Sequence, residues 1–387
     1  MAQGAAVLLR FTWSCSCALT KTKTETMDYQ RVIVTGGAGL IGLHVVRKLL
    51  DDGHSVWVLD DFANSEREEV DQRACIVEVD LTVQQPTVDA VERIKPDVIF
   101  HLACHPYEGL SQFNPTDVTM STSIATLNVV TAAVRAGCVK RIVNYSSMAR
   151  YGRGHKTPSS QDGTGSAPLG PPFQEWYDPN PEDVYGCAKV SAERSLEILC
   201  DLHNIEWCHV VPHNVYGEAN GKALSDPYRG VLLIWTNCML RNKPFFVYGD
   251  GMQKRAPSYV GDCVGPMVKM GFGAFHRQVV NIGSLKEYAM NDMAEIAQEV
   301  FIEVTGRTPP KWLRAEKRPC EVKDAWCSIE KSVSLLDYRD KTSLREGMTK
   351  LMTWASEKYP EGLEPRYLPK LEIEGDKVPS VWRERRM

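Results

Sequence analysis

At 387 residues the chain is long enough to bury a substantial core and to divide into two lobes. A hydrophobic share of 43%, a charged share of 24% and a formal net charge of −4 describe an ordinary globular protein, without the basic excess of a nucleic-acid binder. No stretch approaches the roughly 18 uninterrupted apolar residues of a membrane span. From Cys75 onward the cysteines are scattered singly and no CxxC pair occurs, so reduced thiols in a cytoplasmic protein are expected, with no metal site.

Residues 1–30 stand apart. Arg10 is the one charge within residues 1–20, and the apolar stretch Ala5–Leu9 lacks a clear cleavage pattern after it. A disordered extension is expected, with a targeting peptide as the alternative; Met27-Asp-Tyr-Gln-Arg31 reads as a natural start ahead of the first strand. Arg31–Thr35 is a β-branched run that stops at glycines, as a buried parallel strand does. Leu40–Leu50 has helical spacing and ends at Asp51-Asp52-Gly53, a stop signal. Strands follow at Ser55–Leu59 and Ile76–Val79, a helix at Val88–Ile94, a strand at Asp97–Leu102, a helix at Ile124–Ala136 and a strand at Arg141–Tyr145.

Arg153 to Pro181 breaks this rhythm with a Gly/Pro/Ser-rich run. Long segments of this kind are functional or disordered, which leaves a mobile lid and a tolerated insertion both open. A helix over Val184–Leu202 and a strand over Glu206–Val211 resume the alternation, and beyond about Gly217 the elements shorten. The pattern predicts an α/β fold: a Rossmann-type, doubly wound parallel sheet over residues 31–212 and a smaller α/β substrate lobe over 213–358, some of whose segments return to the first. Residues 359–387 form a charged tail dotted with proline, expected at the periphery.

Gly36-Gly-Ala-Gly39-Leu-Ile-Gly42 lies between the first strand and the first helix. Glycines at this spacing let the turn close, let the backbone approach a pyrophosphate and let the helix pack on the strand. Asp60 ends the second strand, 21 residues after Gly39, where a carboxylate accepts from ribose hydroxyls and repels a 2′-phosphate. NAD is therefore expected over NADP. Tyr185 and Lys189 are four apart on one helix face. A phenol ionises near pH 10, so a neighbouring ammonium and a cationic nicotinamide ring are expected to lower its pKa. Ser147, at the end of the strand Arg141–Tyr145, supplies a hydroxyl for the reacting oxygen. Ser147, Tyr185 and Lys189 form the expected catalytic set.

At this point the chain resembles the extended short-chain dehydrogenase/reductases, and among them the nucleotide-sugar epimerases. The motifs are TGGAGLIG (35–42), LDDFANS (59–65), VDL (79–81), FHLA (100–103), YSSMARYG (145–152), YGCAK (185–189) and HNVYG (213–217). YGDGMQKRAPSYVGD (248–262), VNIGS (280–284) and TGR (305–307) continue the likeness to about Lys358. The resemblance implies cofactor contacts at Leu40, Ile41, Asp60, Asp61, Asn64 and Ser65, with Asp80 and Leu81 beside the adenine. It places Leu102, Ala103, Cys104 and Pro212 along the dinucleotide path. For the nucleotide sugar it implies Asn214, Arg255 and Arg318 at the diphosphate or sugar, since guanidinium forks suit phosphate oxygens. Phe246 and Tyr248 would border a uracil, and Ala325 falls where relatives gate N-acetyl sugars. A homodimer paired through Ile124–Ala136 and Val184–Leu202 is implied as well.

Met148-Ala149 follows Ser147. Related 4,6-dehydratases carry Asp-Glu there, nucleotide-sugar decarboxylases keep a Glu where Ala149 stands, and GDP-mannose 3,5-epimerases place a cysteine there. The small apolar pair resembles the UDP-glucose 4-epimerases, which oxidise C4 to a ketone and return the hydride to the other face, with NAD regenerated and retained. The alternatives are another nucleotide-sugar oxidoreductase (a uronate epimerase, a dehydratase or a reductase) and a non-catalytic NAD-sensing scaffold. Cys104-His105-Pro106, Thr122 and Arg150 depart from the family pattern. His105 and Arg150 read either as a charge set for an acidic sugar or, more simply, as drift at the pocket edge. Asp226-Pro-Tyr-Arg229 resembles a subgroup of epimerases of unspecified substrate.

Overall fold

The computed structural model describes residues 30–155 and 169–387. Almost all of the expected N-terminal extension and the middle of the Gly/Pro/Ser-rich run lie outside the described residues, and the lid and insertion readings with them.

Seven strands build a parallel sheet. They are β1 (Arg31–Thr35), β2 (Ser55–Asp60), β3 (Cys75–Glu78), β4 (Val98–His101), β5 (Arg141–Tyr145), β6 (Glu206–Pro212) and β7 (Gln278–Ile282). Across the sheet they run β7-β6-β5-β4-β1-β2-β3. Alternate side chains of β1 enter opposite layers. Val32 and Val34 join Val45, Val46 and Leu49 of helix α1 (Leu40–Asp51). Ile33 instead meets Val88 and Val91 of α2 (Gln84–Ile94) and Val129 of α3 (Ala125–Ala136). Both faces are covered, which is why the strand reads as an unbroken apolar run. Val32, Ile33 and Val34 are fully buried, each contributing about 1.5–3 kcal/mol.

The chain leaves β1 toward β2 and β3 on one side, then crosses to β4, β5 and β6 on the other. The connections diverge at the carboxyl ends of β1 and β4, the place where such sheets open a crevice. Thr35 ties the two ends together: its Oγ1 lies 2.7 Å from His101 Nδ1 and accepts from the amides of Leu102 and Ala103 at 3.2 and 3.3 Å. Burial lowers the His101 pKa to about 3, so this strut is neutral.

Helix α4 (Val184–Leu202) has its expected bounds. The helix expected from Ile124 begins earlier, because Pro115–Thr119 and a π-helical turn at Met120–Ile124 run directly into α3. Proline is tolerated in the first helical turn, and the polar residues Thr116, Asp117, Thr119 and Ser121 obscure the apolar spacing. Likewise α2 starts at Gln84, not Val88, because its first turn is polar. In the second half, helices Val231–Leu240, Met290–Thr305 and Leu344–Lys358 pack together. They support short strand pairs: Phe246–Tyr248 with Leu313–Ala315, and Lys254–Arg255 between Tyr288–Ala289 and Asp324–Ala325. Strand β7 from this half forms the edge of the central sheet.

The tail is not peripheral. Val378, Val381 and Trp382 are 3%, 0% and 3% exposed and join a core with Tyr107, Phe113, Tyr228 and Phe246. Their spacing puts one apolar face on a short turn inside an otherwise charged segment. Glu372 accepts from the amides of Thr116 and Asp117, capping the Pro115–Thr119 helix, and Asn114 donates to the Lys370 carbonyl. Among the described residues no helix is long and apolar enough to cross a membrane, and no cluster of His, Cys, Asp and Glu is arranged to hold a metal.

Candidate functional site

The crevice holds a chamber of about 340 Å³. Gly36, Gly39 and Gly42 form its floor together with Leu40 and Ile41 in the first turn of α1. No side chain fits here: a Cβ on Gly36 (φ +64°) would lie 2.7 Å from the Ala103 nitrogen, and one on Gly42 2.2 Å from the Gly36 carbonyl oxygen. Asp60 braces this turn. Its Oδ2 accepts from the Ala38 amide at 3.1 Å, and its Oδ1 accepts from the Phe62 amide at 3.0 Å and the Ser65 hydroxyl at 2.8 Å. Burial raises its pKa and these bonds oppose the rise. Asp61, Asn64 and Ser65 line the wall beyond it, Asp80 and Leu81 the side next to β3, and Leu102, Ala103, Cys104 and Pro212 the path across β4 and β6. A glycine turn at a helix start and a carboxylate ending the next strand suit a dinucleotide.

Ser147, Tyr185 and Lys189 line the same chamber. Ser147 caps the turn Met148–Tyr151 after β5, accepting from the Ala149 amide at 3.2 Å. Asp183 caps α4, its Oδ1 accepting from the Gly186 amide at 2.7 Å, and so sets Tyr185 in the first turn. A Cβ on Gly186 would lie 2.7 Å from the Ala149 carbonyl oxygen; the bare backbone lets α4 close on the Ser147 turn. Lys189 Nζ lies 5.7 Å from the Tyr185 ring centroid, and the Cys104 Sγ lies 3.9 Å from the phenol oxygen. The expected lowering of the Tyr185 pKa relies in part on a cationic nicotinamide ring; in the protein by itself the direction is upward. Burial pushes the phenol well above its ordinary value, and the Ser147 hydroxyl works the other way. Desolvation of the phenolate outweighs that help.

Arg150 does not sit at the pocket edge. It is 6% exposed, lines neither chamber and pairs at 3.1 Å with Glu193, which also accepts from Ser146. The acidic-sugar reading of Arg150 with His105 therefore loses one of its two members, and so does the drift reading at the edge. His105 does line the chamber and pairs with Asp117 at 2.8 Å. Thr122 is buried in the π-helical turn, its hydroxyl oxygen without a hydrogen-bond partner among the described residues.

A second chamber of about 270 Å³ adjoins the first and is lined by Asn214, Phe246, Tyr248, Arg255, Arg318 and Ala325. Asn214 takes a left-handed backbone (φ 45°). Arg255 donates to the carbonyls of Lys254 and Lys323 at 2.8 Å and of Val322 at 2.7 Å. Arg318 donates to Glu321 at 2.6 Å and lies 4.8 Å from the Tyr248 ring centroid. Ala325 is 3% exposed. Neither arginine is a solvated surface charge.

The lining residues that were not anticipated include Glu108, Asp183, Arg229, Trp382 and Met387. Asp183 and Arg229 carried signals, the first as a helix cap before Tyr185 and the second inside Asp226-Pro-Tyr-Arg229. Trp382 could have been found from the spacing of Val378, Val381 and Trp382. Glu108 lies in the irregular stretch after β4 and has no periodic signal.

The sequence profile of the NAD-dependent epimerase/dehydratase family matches residues 32–283. A UDP-glucose 4-epimerase of Mycolicibacterium smegmatis is 30% identical over 276 residues, covering 68% of this chain and 80% of that one. UDP-glucuronic acid decarboxylase 2 of Arabidopsis thaliana is 28% identical, over 82% of this chain and 66% of the relative. The structure of UDP-glucose 4-epimerase from Thermotoga maritima, solved with UDP-glucose, superposes with a TM-score of 0.73 at 26% identity, covering 84% of this chain and 99% of that one.

Proposed function

The chain belongs to the NAD-dependent epimerase/dehydratase family, and from that premise we propose that it inverts C4 of a UDP-hexose through a transient 4-keto sugar. The observation that carries this reading is the position of Ser147, Tyr185 and Lys189 in the glycine-floored chamber, next to the arginine-bearing one. Bound NAD would supply the hydride acceptor and donor. The residues that would hold it are those of the glycine turn, Asp60 to Ser65, Asp80 to Leu81 and Leu102 to Cys104.

In this reading Arg255 and Arg318 hold the diphosphate, and Phe246 and Tyr248 border the base. Tyr185 takes the O4 proton while Ser147 hydrogen-bonds that oxygen. Lys189 Nζ stands 5.7 Å from the Tyr185 ring centroid, where a positive charge would favour the phenolate that burial opposes. Met148 and Ala149 offer no acid or base for elimination, which supports simple redox inversion over dehydration. Pairing as a homodimer through α3 and α4 belongs to the same reading; Ile198 and Leu202 on α4 are 62% and 69% exposed.

Incubating the purified protein with UDP-glucose, UDP-N-acetylglucosamine and UDP-glucuronate, with no added NAD, tests the proposal. C4 epimers are expected, with no net NADH. Conversion of the bound NAD to NADH that is not reversed, or a released keto sugar, would overturn it.

A further inference from the structure

The two chambers share part of their lining, including Pro106, Glu108, Met148, Asn214 and Arg229. Two of these residues carry charge, and they differ in how that charge is answered. Arg229 Nε donates to Asp226 Oδ2 at 2.9 Å, and Asp226 is itself buried, accepting also from the Tyr107 hydroxyl and the Tyr228 amide at 2.9 Å each. Glu108 has no such partner. Among the described residues its carboxylate makes no hydrogen bond or ion pair, and the cations acting on it are Arg255 and Arg318 through space. Those two are engaged elsewhere, Arg318 with Glu321 and Arg255 with three backbone carbonyls. Asp183 and Glu321 are the other acids on the wall of the arginine-bearing chamber, Glu321 being paired with Arg318. An accessible, unanswered carboxylate thus stands at the junction between the arginines and Tyr185.

That junction is where the glycosyl group of a nucleotide sugar has to lie, if its diphosphate meets Arg255 and Arg318 and its reacting carbon meets Tyr185. We propose that Glu108 makes the site selective for an uncharged hexosyl group over a uronate: its carboxylate accepts hydrogen bonds from sugar hydroxyls and repels a sugar carboxylate. The inference rests on the nucleotide-sugar reading above and narrows it, since relatives of this chain include enzymes named for UDP-glucose and for UDP-glucuronic acid. Like charges brought together in a partly desolvated pocket are strongly unfavourable, and discrimination built on such repulsion is a common route to specificity. Burial raises the Glu108 pKa, and the two arginines counter the rise. The comparison therefore belongs on the alkaline side of neutrality, which favours the ionised carboxylate.

Calorimetric titration of the NAD-loaded protein with UDP, UDP-glucose and UDP-glucuronate tests this independently of turnover. The wild-type protein is expected to bind UDP-glucose at least about tenfold more tightly than UDP-glucuronate. Glu108→Gln, which keeps the shape and removes the charge, should shrink that ratio by about tenfold, chiefly by strengthening UDP-glucuronate binding, with a smaller change in UDP affinity measured alongside as the reference. Glu108→Ala should move the ratio in the same direction. If UDP-glucose binds but neither variant changes the ratio, or if wild type prefers UDP-glucuronate, the role of Glu108 is overturned while the nucleotide-sugar reading stands. If neither UDP nor either sugar nucleotide binds, both fall.

Discussion

Lys189 donates a 2.7 Å hydrogen bond from Nζ to the carbonyl oxygen of Tyr145, the last residue of β5. The ammonium is thereby anchored to the strand that delivers Ser147, so hydroxyl, phenol and ammonium are held by one local unit of strand, turn and helix. This geometry separates two roles. Tyr185→Phe removes the proton acceptor and should lower turnover by about 10²–10⁴-fold with NAD still bound. Lys189→Met should leave a measurable rate whose ascending, low-pH limb in the pH profile moves to higher pH, because the charge favouring the phenolate is gone. A Tyr185→Phe variant with wild-type turnover would remove the tyrosine from the mechanism.

Gly36→Ala probes the floor of the first chamber. The new Cβ would face the Ala103 nitrogen at 2.7 Å from a left-handed backbone, so β1 and β4 must separate to admit it. A loss of about 1–3 kcal/mol is expected from the strain, together with loss of bound NAD on gel filtration. Retention of NAD with an unchanged melting temperature would show that the turn does not need glycine.

Asp183 makes stability depend on pH. Burial, followed by the charge of Glu108, raises its pKa from an ordinary 3.8 to about 7. Below about pH 4 both folded and unfolded forms hold the proton, and the group contributes nothing. Between pH 4 and 7 the unfolded chain releases it first, so folding is progressively penalised; above 7 the penalty is constant. Asp183→Asn keeps a good helix cap and removes this cost. Its advantage over wild type in urea unfolding should grow from pH 4 to 7 and then level off, reaching about 1–3 kcal/mol. A difference independent of pH would contradict the assignment.

Trp382 should couple the tail to the second chamber. Its ring meets Tyr228 at 5.4 Å, Tyr248 at 6.4 Å and Phe113 at 6.5 Å, centroid to centroid, all near edge-on. Trp382→Ala is expected to cost about 3–5 kcal/mol and to weaken UDP binding while sparing NAD, because it opens a wall of only the second chamber. Equal loss of both ligands would point to general unfolding instead.

Much of the frame was legible in the residues alone because its causes are local. The bounds of β1, β5 and α4 follow from β-branched runs and from spacing along one helix face, and the glycine turn follows from steric needs within seven residues. Polar helix starts hid the first turns of α2 and of the helix leading into α3, where apolar spacing is interrupted. What tertiary structure alone decided depends on desolvation and on residues far apart in the chain. Burial raised the Tyr185 pKa in the protein by itself, drew Arg150 behind the site to Glu193, and folded the tail onto Tyr228 and Tyr248. It also left Glu108 lining both chambers, its carboxylate unpaired among the described residues. A one-dimensional pattern records which side chains are apolar and how they repeat; it does not record which charge loses its water, nor which distant residue answers it.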